Sequence, residues 1–200
     1  MKRVFDVAVS AAGLVLTSPI ILAAAVAVKL ESPGSAFYGG TRVGKDGRTF
    51  RILKLRTMRP QSGGPAVTAG DDPRITSVGR VLRRTKIDEL PQLLNVLKGD
   101  MSLVGPRPED PKYVALYTPE QRSVLTVRPG ITGPTVLAFI DEEQVLRGGD
   151  PESVYVASVM PQKLAADLRY VKTASFAGDL SILGRTFLAV VARAVRRGSA

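Results

Sequence analysis

The stretch Val7–Val28, VAVSAAGLVLTSPIILAAAVAV, carries no charge and is interrupted near its middle by Ser18-Pro19. A bilayer crossing takes about 20 apolar residues, and no other segment of this sequence offers that many in a row. Proline lacks an amide hydrogen and its ring clashes with the preceding turn, so a straight helix is not expected here without a kink. Basic residues flank both ends, with Lys2 and Arg3 before the run and Lys29, Arg42, Lys45 and Arg48 after it. Positive charge marks the cytoplasmic side of a membrane segment, so symmetric flanks disfavour a simple crossing. A helix that enters the membrane, turns at Ser18-Pro19 and returns to the same face meets both conditions. The segment therefore predicts a protein that works at the inner face of a membrane. A secretory signal peptide is the other reading of such an N-terminus. It is disfavoured by the length of the run, by Pro19 and by the basic belt that follows.

The 200 residues suit one domain with a core of ordinary size. The chain has no cysteine, which excludes disulfides and thiolate metal sites and fits a reducing compartment. It also has no histidine, so chemistry near neutral pH has to run on carboxylates, lysine, arginine or hydroxyls. A net charge of +10 calls for a polyanionic partner: nucleic acid, anionic lipid or a phosphorylated substrate. Nearly all of that excess lies between Arg42 and Lys86, where twelve Lys or Arg face three Asp. Directly after a membrane segment, such residues are drawn to anionic head groups. Nucleic acid is disfavoured, because the belt has little aromatic interleaving beyond Phe50 and lacks a reading helix.

The pattern predicts a mixed α/β, mostly helical chain with a small sheet. Glu31–Gly40 reads as a connection and Thr49–Met58 as a short strand with basic residues on one face. Gln61–Asp72 is a loop by composition. Leu82, Leu90, Leu93, Leu94 and Leu97 recur at helical spacing over Val78–Leu97, with Gly99 as the stop. Pro91 lies inside that stretch, so the helix should kink or restart close to Asp88-Glu89. Gly105-Pro106-Arg107-Pro108 and Arg128-Pro129-Gly130 are two rigid basic turns. Ile182–Arg197 reads as an amphipathic helix, either in a membrane interface or docked on the core.

Asp88-Glu89 is the sharpest candidate for chemistry. The neighbouring Arg83, Arg84 and Lys86 favour ionised carboxylates. One such carboxylate can act as nucleophile while the second holds Mg²⁺ against phosphate oxygens. Alternatively, Asp88 is the N-cap of a helix that restarts at Glu89. Lys54 and Arg56 on one strand face, together with Arg107, could clamp a diphosphate, or they form a solvated basic surface against head groups.

Beyond these features, Asp88-Glu89-Leu90-Pro91-Gln92-Leu93 and the run Asn95–Pro108 (NVLKGDMSLVGPRP) resemble the central signature of the bacterial sugar transferases, the monotopic phosphoglycosyl transferases. The likeness extends in order to Ser18-Pro19, Lys54–Met58, Arg128–Gly133, Tyr170-Val171-Lys172, Ser175-Phe176 and Asp179-Leu180. In length the chain is similar to the minimal members. The resemblance implies an enzyme that moves a phosphosugar from a UDP-sugar onto a polyprenol phosphate, expected to be undecaprenyl phosphate, and releases UMP. It implies Asp88 as covalent nucleophile, Glu89 as the Mg²⁺ ligand, and Lys54, Arg56 and Arg107 as substrate-binding residues. It also implies that Ser18 and Pro19 break a re-entrant helix over residues 1–30. Residues 31–200 would then form a catalytic domain on the cytoplasmic face of a bacterial inner membrane, in contact with anionic lipid. The rival expectation is a basic, membrane-anchored scaffold without activity.

One region departs from the family pattern. Where members continue after Arg128–Gly133 with a Gln-Val-x-Gly-Arg-like stretch, this chain reads PTVLAFIDEE over Pro134–Glu143, with Arg147 following later. The difference bears on which donor is used.

Overall fold

The computed structural model describes residues 1–59, 72–139 and 150–196. The expected loop Gln61–Asp72, apart from Asp72, and the stretch from Ile140 through Arg147 lie outside them, as does Arg197.

The apolar run folds into α1, Lys2–Glu31, a single helix of 30 residues with Pro19 inside it. It is the one helix among the described residues long and apolar enough to cross a membrane. The expected break at Ser18-Pro19 does not interrupt it. Pro19 has no amide to offer the Val15 carbonyl, and the Ser18 hydroxyl donates to that carbonyl instead, at 2.9 Å. One residue earlier the Thr17 hydroxyl donates to the Gly13 carbonyl at 2.7 Å. Side-chain donors of this kind let a helix carry proline where no water is available.

Both ends of α1 are bound to the rest of the protein. Near the start, Asp6 accepts from the Ser102 hydroxyl at 2.8 Å and the Leu103 amide at 3.3 Å. Arg3 donates to the carbonyls of Val96 (2.7 Å) and Leu97 (3.2 Å). Lys2 pairs with Asp179. Near the end, Ala24, Ala25 and Val28 pack with Leu55 and Leu82. Between them, Val15 and Leu16 are 74% and 76% exposed.

A hairpin follows, β1 (Phe37–Val43) and β2 (Thr49–Leu55), paired antiparallel with Tyr38 opposite Lys54. The second strand sits within the expected one. The first was expected as part of a connection, because its Tyr-Gly-Gly-Thr core has no apolar alternation and gains its order from the partner strand. Next come α2 (Ser77–Thr85), a 3₁₀ turn (Ile87–Glu89) and α3 (Gln92–Lys98). The helix therefore restarts where Pro91 required. Lys86, at φ 61°, closes α2, and Gly99, at φ 94°, closes α3. Glu31, at the end of α1, accepts the Val78 amide at 3.1 Å, so the end of α1 is tied to the N-terminus of α2.

The two rigid turns border a parallel pair, β3 (Ser102–Val104) and β4 (Gly130–Thr132), with Ser102 opposite Gly130 and Val104 opposite Thr132. Between them lie α4 (Pro111–Val114) and a 3₁₀ segment (Gln121–Thr126); α5 (Pro134–Ala138) comes after. The C-terminal part contains α6 (Pro151–Val154), a π turn (Tyr155–Val159), α7 (Met160–Thr173) and α8 (Phe176–Arg196). Ile182 and Leu183 of α8 pack with Leu103, Val104 and Tyr170, while Phe187 and Leu188 stay exposed on its other side. The docking expected of this helix is met on one face, and an apolar face is left outside.

Candidate active site

Asp88 and Glu89 occupy the 3₁₀ turn between α2 and α3, where both side chains are buried although both can carry charge. Burial of that kind is costly unless cations or hydrogen bonds answer it. Glu89 is answered twice, by the Lys54 amine at 2.9 Å and the Arg107 guanidinium at 3.6 Å, both at Oε1. Asp88 is answered only in part: Lys54, Lys86 and Arg83 act on it, but it is 5% exposed and its Oδ1 has no hydrogen-bond partner.

Three pieces of local structure bring these groups together. Asn95 of α3 accepts the Leu53 amide at 2.9 Å and donates to the Arg51 carbonyl at 2.8 Å, which fixes β2 against α3 so that Lys54 meets Glu89. The αL residue Lys86 turns the chain so that Asp88 and Glu89 face inward. Arg107 arrives from the end of β3, where Gly105 donates to the Thr132 carbonyl at 3.0 Å and the Gly130 amide donates to the Pro106 carbonyl at 2.8 Å.

The two carboxyls are pushed in opposite directions. Burial, then the neighbouring Glu89 charge, raise Asp88 from the usual aspartate range to about 6. Burial would raise Glu89 too, but Lys54, Arg107 and Lys86 outweigh it and hold Glu89 well below the usual carboxylate range. Burial pulls the Lys54 ammonium down, against the attraction of Glu89. We take the pair as Lys54⁺–Glu89⁻. The result is one carboxylate fixed and ionised beside a second that is more basic and has a free oxygen.

Arg56 does not join this group. Its guanidinium turns to the end of α1 and donates to the carbonyls of Ser32 (2.8 Å), Val28 (3.4 Å) and Pro33. The last carbonyls of a helix lack partners and carry partial negative charge, so the end of α1 competes for this arginine. Arg56 is thus placed as a helix cap, apart from Lys54 and Arg107, with which the sequence grouped it. Replacing Arg56 with Ala should lower stability by about 2–3 kcal/mol through carbonyls left buried without donors. Turnover per folded molecule should stay within about threefold of native. Thermal unfolding together with activity normalised to folded protein checks this, and a large loss of turnover at unchanged stability would restore the clamp. Ser18 and Pro19 lie in the exposed middle of α1, apart from the carboxylates.

Among the described residues no cluster of three or more potential metal ligands exists. A magnesium ion needs no such cluster: it binds through one or two carboxylates plus water and substrate phosphates. Adjacent Asp88 and Glu89, with an unpartnered buried oxygen, fit that donor set.

Sequence reasoning passed over Asp6, Asn95 and Asp167. Asn95 and Asp167 interrupt apolar helical faces and are nearly fully buried, at 1% and 5% exposure. A polar residue on a core face was the signal available.

A family model described as bacterial sugar transferase matches residues 1–193. The UDP-glucose:undecaprenyl-phosphate glucose-1-phosphate transferase of Caulobacter vibrioides is 48% identical over 191 residues, covering 92% of this chain and 67% of that protein. The UDP-N-acetylgalactosamine-undecaprenyl-phosphate N-acetylgalactosaminephosphotransferase of Aeromonas hydrophila is 38% identical, covering 96% of this chain and 44% of that protein. The exopolysaccharide production protein PSS of Rhizobium leguminosarum bv. phaseoli is 37% identical, with 96% of both chains covered.

Proposed function

The chain belongs to the bacterial sugar transferase family, and on that premise we propose that it moves a phosphosugar from a UDP-sugar to a polyprenol phosphate, undecaprenyl phosphate, by way of Asp88. The observation that carries this reading is the split pair: Glu89 held by Lys54 and Arg107, Asp88 buried with an unpartnered oxygen. The Asp88 carboxylate attacks the sugar-bearing phosphorus, and the bond from that phosphorus to the UMP oxygen breaks. The acceptor's phosphate oxygen then attacks the same phosphorus and frees Asp88, leaving a polyprenyl diphosphate sugar. Lys54 and Arg107, already beside the carboxylates, neutralise charge on the phosphates in both steps. Magnesium, held by Glu89 with Asp88 adjacent, would supply further charge neutralisation on the diphosphate.

The same premise supports a location on the cytoplasmic face of a bacterial inner membrane, at the first membrane step of polysaccharide assembly. In this reading α1 enters the membrane without crossing it, although no break occurs at Ser18-Pro19: both its ends are tied to one body, and its exposed apolar middle would face lipid. The exposed Phe187 and Leu188 of α8 and the basic belt rest on anionic lipid.

The test is UMP release from a panel of UDP-sugars with Mg²⁺ and undecaprenyl phosphate. Mg²⁺-dependent release with one donor supports the reading; release with none, while membrane binding persists, favours the scaffold. A pH profile adds a second check. Asp88 has to be ionised to attack and its carboxyl sits at about 6, so activity is lost as pH falls through that value. kcat/KM should fall about tenfold per unit below pH 6 and level off above 7. A profile flat down to pH 5 would contradict the assignment.

A further inference from the structure

Arg107 meets Glu89 from one side of its turn, and the other side of that turn rests on a buried polar cluster that the reaction as described does not use. Two residues past Arg107, Glu109 accepts a hydrogen bond from the Tyr155 hydroxyl. The Lys163 amine lies 3.3 Å from the same hydroxyl and 4.9 Å from the ring centre. The backbone at Glu109 is also pinned, since its carbonyl accepts the Val43 amide at 2.9 Å. One turn beyond Lys163 on α7, the buried Asp167 shares the lining of a small cavity with Arg107 and Glu109. Asp167 Oδ1 and Thr135 Oγ1 have no hydrogen-bond partner. That cavity, of about 20 Å³ and lined also by Tyr117, has room for a single water.

The helix feeding this cluster is irregular at the point of contact. Tyr155–Val159 forms a π turn, a conformation that is rare and that re-aims side chains where function requires it. Here it precedes α7 and carries the tyrosine that reaches Glu109.

We propose that Asp167 and Tyr155 are positioning residues for Arg107: α7 and its π turn hold the Gly105–Glu109 turn so that the guanidinium stands over Glu89 and the phosphate being transferred. The inference rests on the transferase reading above. Asp167 acts across the small cavity it shares with Arg107, and Tyr155 acts through Glu109; neither reaches the carboxylate pair itself.

A double-mutant cycle tests it, with Asp167→Asn, Tyr155→Phe and Arg107→Ala in the full chain, singly and in pairs, assayed with the donor found active. Asn and Phe keep nearly the same shape, and Asn also removes a charge that burial opposes, so both variants should unfold within a few degrees of native. Each is expected to lower kcat roughly 10- to 100-fold, the scale of a small misplacement, with donor KM changed far less. In the Arg107→Ala background the same substitutions should cost nothing more, because their route of action is already gone. Losses that multiply in that background, or unchanged kcat in both single variants, would overturn the inference while leaving the transferase reading intact. An inactive native protein would overturn that reading and this inference with it.

Discussion

Replacing Asp88 with Asn should abolish transfer, lowering the rate of UMP release by roughly 10⁴-fold or more, the scale seen when a covalent nucleophile is removed. The amide matches the carboxylate in size, so packing inside the 3₁₀ turn is kept. The charge and the attacking lone pair are lost. Folding should not suffer, because the native side chain is a buried carboxyl with an unpartnered oxygen, raised to about 6 by burial and by Glu89. Relief of that burden makes Asp88→Asn at least as stable as native near neutral pH. Stability retained while activity vanishes is the pattern of a residue that serves chemistry. Residual activity above about a tenth of native would mean that Asp88 is not the attacking group, since a nucleophile contributes far more than tenfold.

The second large effect is structural. At Gly130 an added Cβ would lie 2.1 Å from the Gly105 nitrogen, 2.4 Å from the Thr132 oxygen and 2.7 Å from the Val104 carbonyl carbon. All three are backbone atoms, so no side chain can swing aside. The β3–β4 pair has to part, and with it the crossing of the two basic turns that delivers Arg107 to Glu89. Gly130→Ala should therefore destabilise by about 3 kcal/mol or more, the upper end of overpacking. For a chain of this size that is a fall of roughly 6–12 °C in the thermal midpoint. Activity should fall further than the unfolded fraction explains. A native midpoint with native activity would mean that β3 and β4 separate without cost, and the account of how Arg107 is placed would fail.

Much of this arrangement was legible in the sequence, for reasons that are local. Pro91 fixed the restart beside Asp88-Glu89, Gly99 fixed the end of α3, and the apolar stretch fixed α1. What escaped depended on partners distant in the chain. The strand at Phe37–Val43 is ordered by Thr49–Leu55 rather than by its own pattern. The parallel pairing of Ser102 with Gly130 and Val104 with Thr132 joins two turns that look unrelated along the chain. The partners of Arg56 escaped for a similar reason. Strand alternation puts it beside Lys54, but it lies just past the strand, where its guanidinium donates to the carbonyls at the end of α1. The helix at Ser18-Pro19 continues because a neighbouring hydroxyl replaces the missing amide, a local compensation that a breaker rule does not count. The carboxylate pair, Lys54 and Arg107 were named correctly as neighbours, and Lys54 and Arg107 do converge on Glu89.

The central claim is that Asp88 carries the phosphosugar, and the most direct measurement is the mass of the protein after mixing with its UDP-sugar and Mg²⁺ in the absence of acceptor. The account predicts an added sugar-phosphate mass on the peptide containing Asp88, stoichiometric UMP release, loss of the adduct when polyprenol phosphate is added, and no adduct on Asp88→Asn. UMP release that strictly requires the acceptor, with no mass added to the protein at any time, would contradict it and point to direct transfer between the two substrates.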